Sequence, residues 1–585
     1  MLNFCTKTDH IWLFGATVGD NYIPEIVLQD STWRATNIDF NFDPPKIYYD
    51  STRVWDFGGT NASICDDQGQ LICYTNGQAI YSGSHTVIED TINYNAQWDN
   101  WSVIQEGVLI NTGLPTIQGA LILPWPEHDG MFYVFYSQYD LDIFATNKLL
   151  YGVIKKDETK YEIIEKDIAV LNTILSNGSL TAVKHANGRD WWILGVGGYH
   201  NTFYLYLFDT EGIHFFSETL LGSEFDYGLS QMYFSSDGNK IGFGIFSHFL
   251  INGGKIGILN FNRSTGILSN IQEDIVAGTS FSQGVSFSPN SRFLYGTDSD
   301  HIFQYDLEAD NVIASRLTVA TYDGFEYSNC ENCDFRPTRF GWMGLGPDGK
   351  IYITSTTGNS RVMHVINNPN QLGVACDVKQ HGIFLPTVDS RSMPNFPNFR
   401  LGPLDGSSCD TLGIDNHPIA KYRYVQDSLE DLKIHFFDLS YYDPRDYDWD
   451  FGDSYTSDML EPTHVYESTG VYEVCLTVSN DYDTHTTCKT IMLGTTSTEE
   501  EEYNANITLF PNPVSDYLTV SFHDYLGLDM VLKLYDVRGN LVNDYPLEGA
   551  YTILDLRDLT SGVYVYRIFD GRVELENGKV IFGGD

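Results

Sequence analysis

The residues of this chain that could do chemistry are scattered: nine cysteines, ten tryptophans and a large excess of carboxylates. Cys65 and Cys73 flank the turn in ICDDQGQLICY, Cys475 and Cys488 fall on what should be adjacent strands, and Cys330 and Cys333 form a CENC sequence. A lone CxxC can be redox-active or half of a zinc site, but no second CxxC and no HxxxH accompanies this one. The spacing therefore predicts local disulfides for all three pairs, in an oxidising compartment. Bridges 65–73 and 475–488 would each close a loop of roughly ten to fifteen residues and contribute roughly 2–3 kcal/mol.

Trp98 and Trp101 in NAQWDNWS, and Trp125 in LPWPEHDG, fall in or beside expected loops next to Asn and Asp. Flat rings among such residues suit the apolar faces and hydroxyls of sugars, so these three are the candidate ligand-binding residues. Trp191 and Trp192 alternate along an expected strand, which places at least one of them in a core. Asp443, Asp446, Asp448, Asp450 and Asp453 offer oxygens that could hold calcium weakly. The favoured reading is that such aspartates fix turns through bonds to backbone amides. Beyond that weak calcium, no metal and no cofactor is expected.

No catalytic residue is assigned. GLGPDG, from Gly344 to Gly349, has the GxGxxG form, but it precedes the strand-like KIYITST instead of a helix, so Asp348-Gly349 reads as a hairpin turn. HExxH, GxSxG and Walker sequences are absent. Asp56, Glu106, His185, Asp226 and Asp298 could meet at a shared centre if separate elements delivered them, yet each reads more simply as a loop or turn residue.

The elements that must position these residues are strands. Tyr (38) and Phe (35) are abundant, as is Gly (52), a mixture that favours pleated, half-buried strands joined by tight turns. At 585 residues the chain exceeds one ordinary core, so two to four domains are expected. A net charge of −44 argues against nucleic-acid binding, since no basic stripe is present to displace counterions from phosphates. No run of about 18 apolar residues predicts a membrane-spanning helix. The start, MLNFCTKTDHIWLFG, lacks the basic, apolar and small-residue regions of a secretory signal, and a truncated start is the expected reason.

Turn signals recur in ASICDDQGQLICYTNG, LPWPEHDGMFYVFYS, AVKHANGRDWWILGVGG, YFSSDGNKIGFGIF, SFSPNSRFLYGTDSD and GLGPDGKIYITST, spaced roughly fifty to sixty residues apart. Asp-Gly and Asn-Gly favour the left-handed backbone of two-residue hairpins, so each reads as a β-hairpin. Sheets of four short strands cannot bury both faces alone, whereas radial stacking buries a continuous core. Residues 9–402 are thus read as a β-propeller of six or seven blades, the seventh closing if the strand near His10 pairs with strands near Ile383. The segment from Ser286 resembles blades of WD-type and related bacterial propellers.

The Pro-rich stretch from Met393 reads as the exit from the propeller, with a linker over 403–420. Residues 421–494 contain WDFGD (Trp449–Asp453), PTHVY (Pro462–Tyr466), Gly470, Tyr472 and LTVSN from Leu476, and they resemble a PKD domain, an immunoglobulin-like sandwich. Ser454 stands where that family usually has Gly. Acidic, aperiodic residues 495–505 form a linker. Over 506–585, ITLFPNPVSDYLTV, VLKLYDVRGNLV, YTILDLRDLTSGVYVYRI and GKVI resemble the type A C-terminal sorting domain of the type IX secretion system of Bacteroidetes. That resemblance implies handling by the type IX machinery and a secreted or outer-membrane-attached, cell-surface destination.

The expectation is an all-β exported protein: a six- or seven-bladed β-propeller, an immunoglobulin-like PKD sandwich and a small C-terminal β-sandwich. Its expected role is recognition or adhesion of an extracellular polysaccharide or protein ligand, non-enzymatic more readily than enzymatic. The alternative is a propeller-based glycoside hydrolase or lyase acting on extracellular polysaccharide at the central channel.

Overall fold

In the computed structural model the described residues are 7–493 apart from 16–34, 51, 54–56, 93–103, 106–107, 110–112, 141–144, 158–159, 177–179, 199–200, 223–228, 246–253, 277–283, 328–335, 359, 390 and 428–429, together with 507–582 apart from 511–513, 515–516, 523–529, 537–540, 548–550, 558 and 571–572. Met1–Leu493 form one compact unit and Gly494–Asp585 another.

The turn signals of the first unit deliver the expected hairpins, and these group into seven sheets in chain order. Among the described residues blade 1 has three strands, Ile11–Gly15, Ala35–Asp39 and Lys46–Asp50. Blades 2 to 7 have four each, and their innermost strands are Ala62–Cys65, Ala120–Pro124, Thr181–Lys184, Leu229–Phe234, Val285–Phe287 and Phe340–Leu345. Every neighbouring pair inside a blade is antiparallel, so each sheet is a simple meander.

Apolar side chains on the two faces of each blade pack against the blades on either side. Ile64 meets Ile122, Leu121 meets Ile193, and Trp192 meets Phe243, each pair sharing one cluster. Ile258 with Leu294, and Tyr295 with Ile353, continue the series. Tyr352 with Trp12, and Leu13 with Tyr74, complete it. Seven interfaces joining seven blades close a ring, which makes the domain a seven-bladed propeller. Each fully buried Leu, Ile or Phe in these interfaces contributes about 1.5–3 kcal/mol, so the ring is held chiefly by contacts between blades.

Among the described residues the ring does not close by strand sharing. Ile11–Gly15 pairs with Ala35–Asp39, Ile11 opposite Asp39, and not with the strand Val378–Asp389 that contains Ile383. Blade 1 and blade 7 instead meet through the Trp12 cluster and a buried bond between the Thr36 and Thr387 hydroxyls at 2.7 Å, with Thr387 N–H donating to Thr36 Oγ1 at 3.1 Å.

The hairpins joining first and second strands define one face of the propeller. A fourth strand therefore ends on the opposite face, as Val378–Asp389 does. Leu404 N–H nonetheless donates to Ala186 O in the blade 4 hairpin, so the intervening segment crosses from face to face. It does so along the propeller axis. Ser392, Met393, Pro394 and Asn395 are buried, Asn395 Nδ2 donates to Ala120 O and Leu180 O at 2.9 Å each, and Asn395 N–H donates to Asn61 O. One residue, through its side chain and its backbone N–H, thus ties blades 2, 3 and 4 together at the centre, and Gln118 Nε2 adds a bond to Asn395 Oδ1 at 3.1 Å. The segment read as a simple exit thus begins inside the propeller's own channel, which Met393, Pro394 and Asn395 fill.

The PKD-like region is a sandwich of a three-stranded sheet (Tyr422–Gln426, Lys433–Asp438, Thr463–Val465) and a four-stranded sheet (Thr456–Ser457, Asp446–Asp450, Gly470–Ser479, Thr484–Leu493) around Trp449, Phe436 and Tyr466. Trp449 Nε1 donates to Met459 O at 2.9 Å, satisfying the one polar atom of the central ring. In WDFGD, Asp450 accepts from Gly452 N–H at 2.9 Å, while Asp453 accepts from Tyr455 N–H and meets His464 Nε2 at 2.7 Å. These aspartates fix the turn, as expected. Ser454 there has φ +78°, a left-handed backbone that glycine adopts without strain.

The second unit, taken alone, is also a two-sheet sandwich. Ile507–Phe510, Tyr517–Phe522 and Tyr551–Asp555 form one sheet, and Leu541–Leu547, Met530–Tyr535, Gly562–Asp570 and Val573–Phe582 the other. Alternation buries Leu532, Leu534, Ile568 and Val580 between them.

Candidate functional site

The hairpin face of the propeller carries the candidate site. Its loops are shaped by side chains that bond to backbone amides: Asp66 Oδ1 accepts from Gln68 N–H and Gln70 N–H at 2.9 Å each, and Asp237 Oδ1 from Asn239 N–H at 3.1 Å. The Asn187-Gly188 turn has a second function. Gly188 has φ +76°, and a Cβ there would come within 2.7 Å of Pro403, so the turn lets the emerging axial segment pass.

The PKD sandwich is docked on this face. Lys421 Nζ donates to Pro347 O at 3.0 Å, Arg423 donates to Asn367 O at 2.6 Å, and Asn370 Nδ2 donates to Glu461 Oε1 at 2.8 Å. The linker is built in as well, with Asn416 Nδ2 donating to Pro403 O and to Asp405 Oδ2 at 3.0 Å each. At the point where the axial segment leaves, Arg400 grips buried Asp9 through both carboxylate oxygens at 2.5 and 2.6 Å. Burial alone would raise the Asp9 pKa, but the Arg400 guanidinium outweighs it and holds the carboxyl below its usual range.

Between propeller, linker and sandwich runs a cleft of about 720 Å³, with Trp12, Tyr233, Phe396, Asp438 and Glu461 among its walls. That volume lies within the range of small-molecule sites, about 300–1,000 Å³. Burial raises Asp438 to about 6 and also pushes Glu461 and Asp405 upward. A smaller cleft of about 140 Å³ adjoins it at Leu401, Gly402 and Tyr442, and is lined by Trp125, Trp191, Phe399, Lys184 and Arg189.

Of the sequence-predicted ligand residues, Trp125 stands in this smaller cleft, half-buried, with His128 flat against its ring at 3.9 Å and Tyr133 edge-on at 5.1 Å. Trp98 and Trp101 lie outside the described residues. Trp191 and Trp192 are both buried and enter different inter-blade clusters. Cys475 and Cys488 sit directly opposite each other on paired strands and form the expected disulfide. Cys330 and Cys333 fall outside the described residues.

The 65–73 disulfide is corrected: both residues are buried free thiols. Cys73 lies opposite Ile64, and a register shift places Cys65 opposite Leu71. The two thiols then point to opposite faces of blade 2, Cys65 toward Leu13 and Tyr74, Cys73 toward Ile122 and Val134. Burial pushes the Cys73 thiol up to about 12 and raises Cys65 too, leaving neither reactive.

His185 and Asp298 prove to be turn residues: His185 Nδ1 accepts from Asn187 N–H at 3.1 Å, and Asp298 Oδ1 from His301 N–H at 2.7 Å. Asp56, Glu106 and Asp226 are outside the described residues. Among the described residues no three His, Cys, Asp or Glu side chains converge as a metal-binding group, and no helix is long and apolar enough to cross a membrane. Sequence reasoning missed Trp12, Trp191, Phe399 and Tyr442 as groove residues, because only the path of the axial segment brings them to one face.

Comparison with known proteins agrees with the modular reading. Residues 417–494 match the PKD domain model, and residues 508–581 match the secretion system C-terminal sorting domain model. The second match supports a secreted or cell-surface destination. No curated protein matches the chain. Among solved structures, the PKD1 domain of the Vibrio cholerae metalloprotease PrtV is 31% identical over 14% of this chain and 99% of its own, with a TM-score of 0.13. A periplasmic gluconolactonase of Pseudomonas aeruginosa is 13% identical, covering 73% of this chain and 99% of its own, with a TM-score of 0.30. PorZ, a surface component of the type IX secretion system of Porphyromonas gingivalis, is 11% identical, covering 95% and 90%, with a TM-score of 0.22.

Proposed function

We propose that this chain, which carries a PKD domain and a C-terminal sorting domain, is an extracellular recognition protein whose propeller and PKD sandwich together bear the ligand. The observation that carries this reading is the 720 Å³ cleft, with walls contributed by propeller, linker and sandwich alike. A sandwich that merely spaced the propeller from the cell would have no reason to form one wall of a cleft. The channel, where a propeller enzyme would assemble its residues, is taken up by Met393, Pro394 and Asn395. That favours binding on the hairpin face over chemistry on the axis.

A second reading has one specific support. Asp438 and Glu461 line the same cleft with pKa values raised by burial, and a carboxyl whose pKa is raised toward neutrality is what general-acid cleavage of a glycosidic bond requires. The test uses the full chain with a panel of soluble and insoluble polysaccharides and with surface proteins of potential host cells, scoring retained protein and released reducing ends together. Retention without products supports recognition. Product release transfers the weight to the glycosidase reading, and neither retention nor release overturns both.

A further inference from the structure

We infer that the small aromatic cleft is a sugar subsite, and that the ligand is an uncharged oligosaccharide lying along the hairpin face with one ring at Trp125. The inference rests on the recognition reading and names its ligand class.

Three observations converge. The first is an imbalance of polar atoms. Trp125 Nε1 and Trp191 Nε1 are both shielded from solvent, and neither meets an acceptor among the described residues, although the two indoles line one cleft. A buried donor without an acceptor costs about 1–3 kcal/mol, and native proteins keep few such groups unless a ligand supplies the partner. Sugar hydroxyls are acceptors presented beside apolar C–H faces, and the two indoles line this cleft beside Pro124, Pro126 and Phe399.

The second is size. About 140 Å³ is below the usual small-molecule range, so the cleft admits one ring and not a whole ligand. It shares Leu401, Gly402 and Tyr442 with the 720 Å³ cleft, which has room for the remainder of a chain. The Trp125 ring is held between His128 and Tyr133, so its orientation is set before any ligand arrives.

The third is charge. Six carboxylates line the larger cleft (Asp9, Asp237, Asp405, Asp438, Asp443 and Glu461) against three guanidiniums, in a chain of net charge −44. Uronate or sulfate groups would be repelled along its length. A neutral glycan meets no such barrier and can accept from and donate to the same groups.

The test measures intrinsic tryptophan fluorescence of the full chain titrated with cello-, chito-, manno- and xylo-oligosaccharides, and with polygalacturonate and heparin as anionic probes. The expected result is saturable binding of at least one neutral glycan, weakened about tenfold or more in Trp125→Ala and less in Trp125→Phe, which keeps the ring but loses the N–H. Trp191→Phe, which keeps an aromatic ring but loses the N–H, should weaken the same glycan, and serves if Trp125→Ala fails to fold. Neutral-glycan binding unaltered in both Trp125→Phe and Trp191→Phe overturns the subsite and leaves recognition standing. Preference for the anionic probes overturns the ligand class. Absence of binding to every glycan, with retention on surface proteins, overturns the inference but not the recognition reading.

Discussion

Two β-sandwiches of nearly equal size end this chain, and they are held in different ways. Residues 417–494 and 508–581 each match a compact family model, and both bury one alternating face of each sheet. Yet the first belongs to the same compact unit as the propeller, and the second is a unit of its own. The difference teaches that a strand pattern specifies a sandwich but not what the sandwich leans on. Docking of the first depends on a few polar ends: Lys421 on Pro347 O, Arg423 on Asn367 O and Asn370 on Glu461. Two of those acceptors are backbone carbonyls, which every residue possesses and no residue type announces.

Calorimetry of the full chain can break or sharpen this contrast, because the two units should melt separately. The largest effect is expected from Arg400→Ala. Leaving Asp9 buried without its guanidinium should cost about 3–5 kcal/mol and lower the transition of the first unit, while the second unit's transition stays in place. If both fall together, the units are coupled and the contrast fails.

Cys475→Ser comes next, with an expected loss of about 2–4 kcal/mol. Since no cysteine follows Cys488, reductant should reproduce the shift in the first unit and leave the second untouched. A shift of the second unit on reduction would contradict the assignment of the transitions.

Asp438→Asn separates the sandwiches by pH. Burial raises the Asp438 pKa in the folded state to about 6 from 3.8, so the folded protein favours the protonated form. The stability that this carboxyl contributes is complete below its unfolded pKa and is lost as pH rises through about 6. The variant, always neutral, should therefore be more stable than the parent by about 3 kcal/mol at pH 7 to 8, and equal to it near pH 4. An equal advantage at both pH values would show that the gain is not electrostatic.

The smallest effect is expected from Ser454→Gly. Relief of the left-handed backbone at φ +78° should stabilise the PKD sandwich by about 1 kcal/mol, read as a small rise in the first transition alone.

Much of the fold was legible because it depends on local chemistry. Asp-Gly and Asn-Gly pairs favour positive φ at the glycine and so signal hairpins, as at Gly188, Gly238 and Gly349. The WDFGD aspartates act within a few residues of themselves, and that range is visible in a sequence. Of the candidate site, Trp125 was legible as a ring beside turn residues, and it stands in a cleft. Its companions were not, since Trp191, Phe399 and Tyr442 are far apart in the chain. The 65–73 disulfide failed for a related reason. Flanking a turn is a statement about spacing, but a one-residue register shift turns the two thiols to opposite faces of the sheet.

By itself, then, the sequence determined the strands, their turns and the order of three β-rich modules, because each rests on side-chain alternation and backbone preference over a handful of residues; the sorting role of the last came from its resemblance to a family of sorting domains. Only the tertiary structure decided that there are seven blades, that the Pro-rich segment from Met393 runs down their axis, and that the PKD sandwich forms a wall of the cleft. Those outcomes depend on which apolar faces meet around a closed ring and on where one chain segment can reach backbone groups of several blades at once, as Asn395 does. Such contacts are summed over the whole molecule, and no local stretch of sequence contains them.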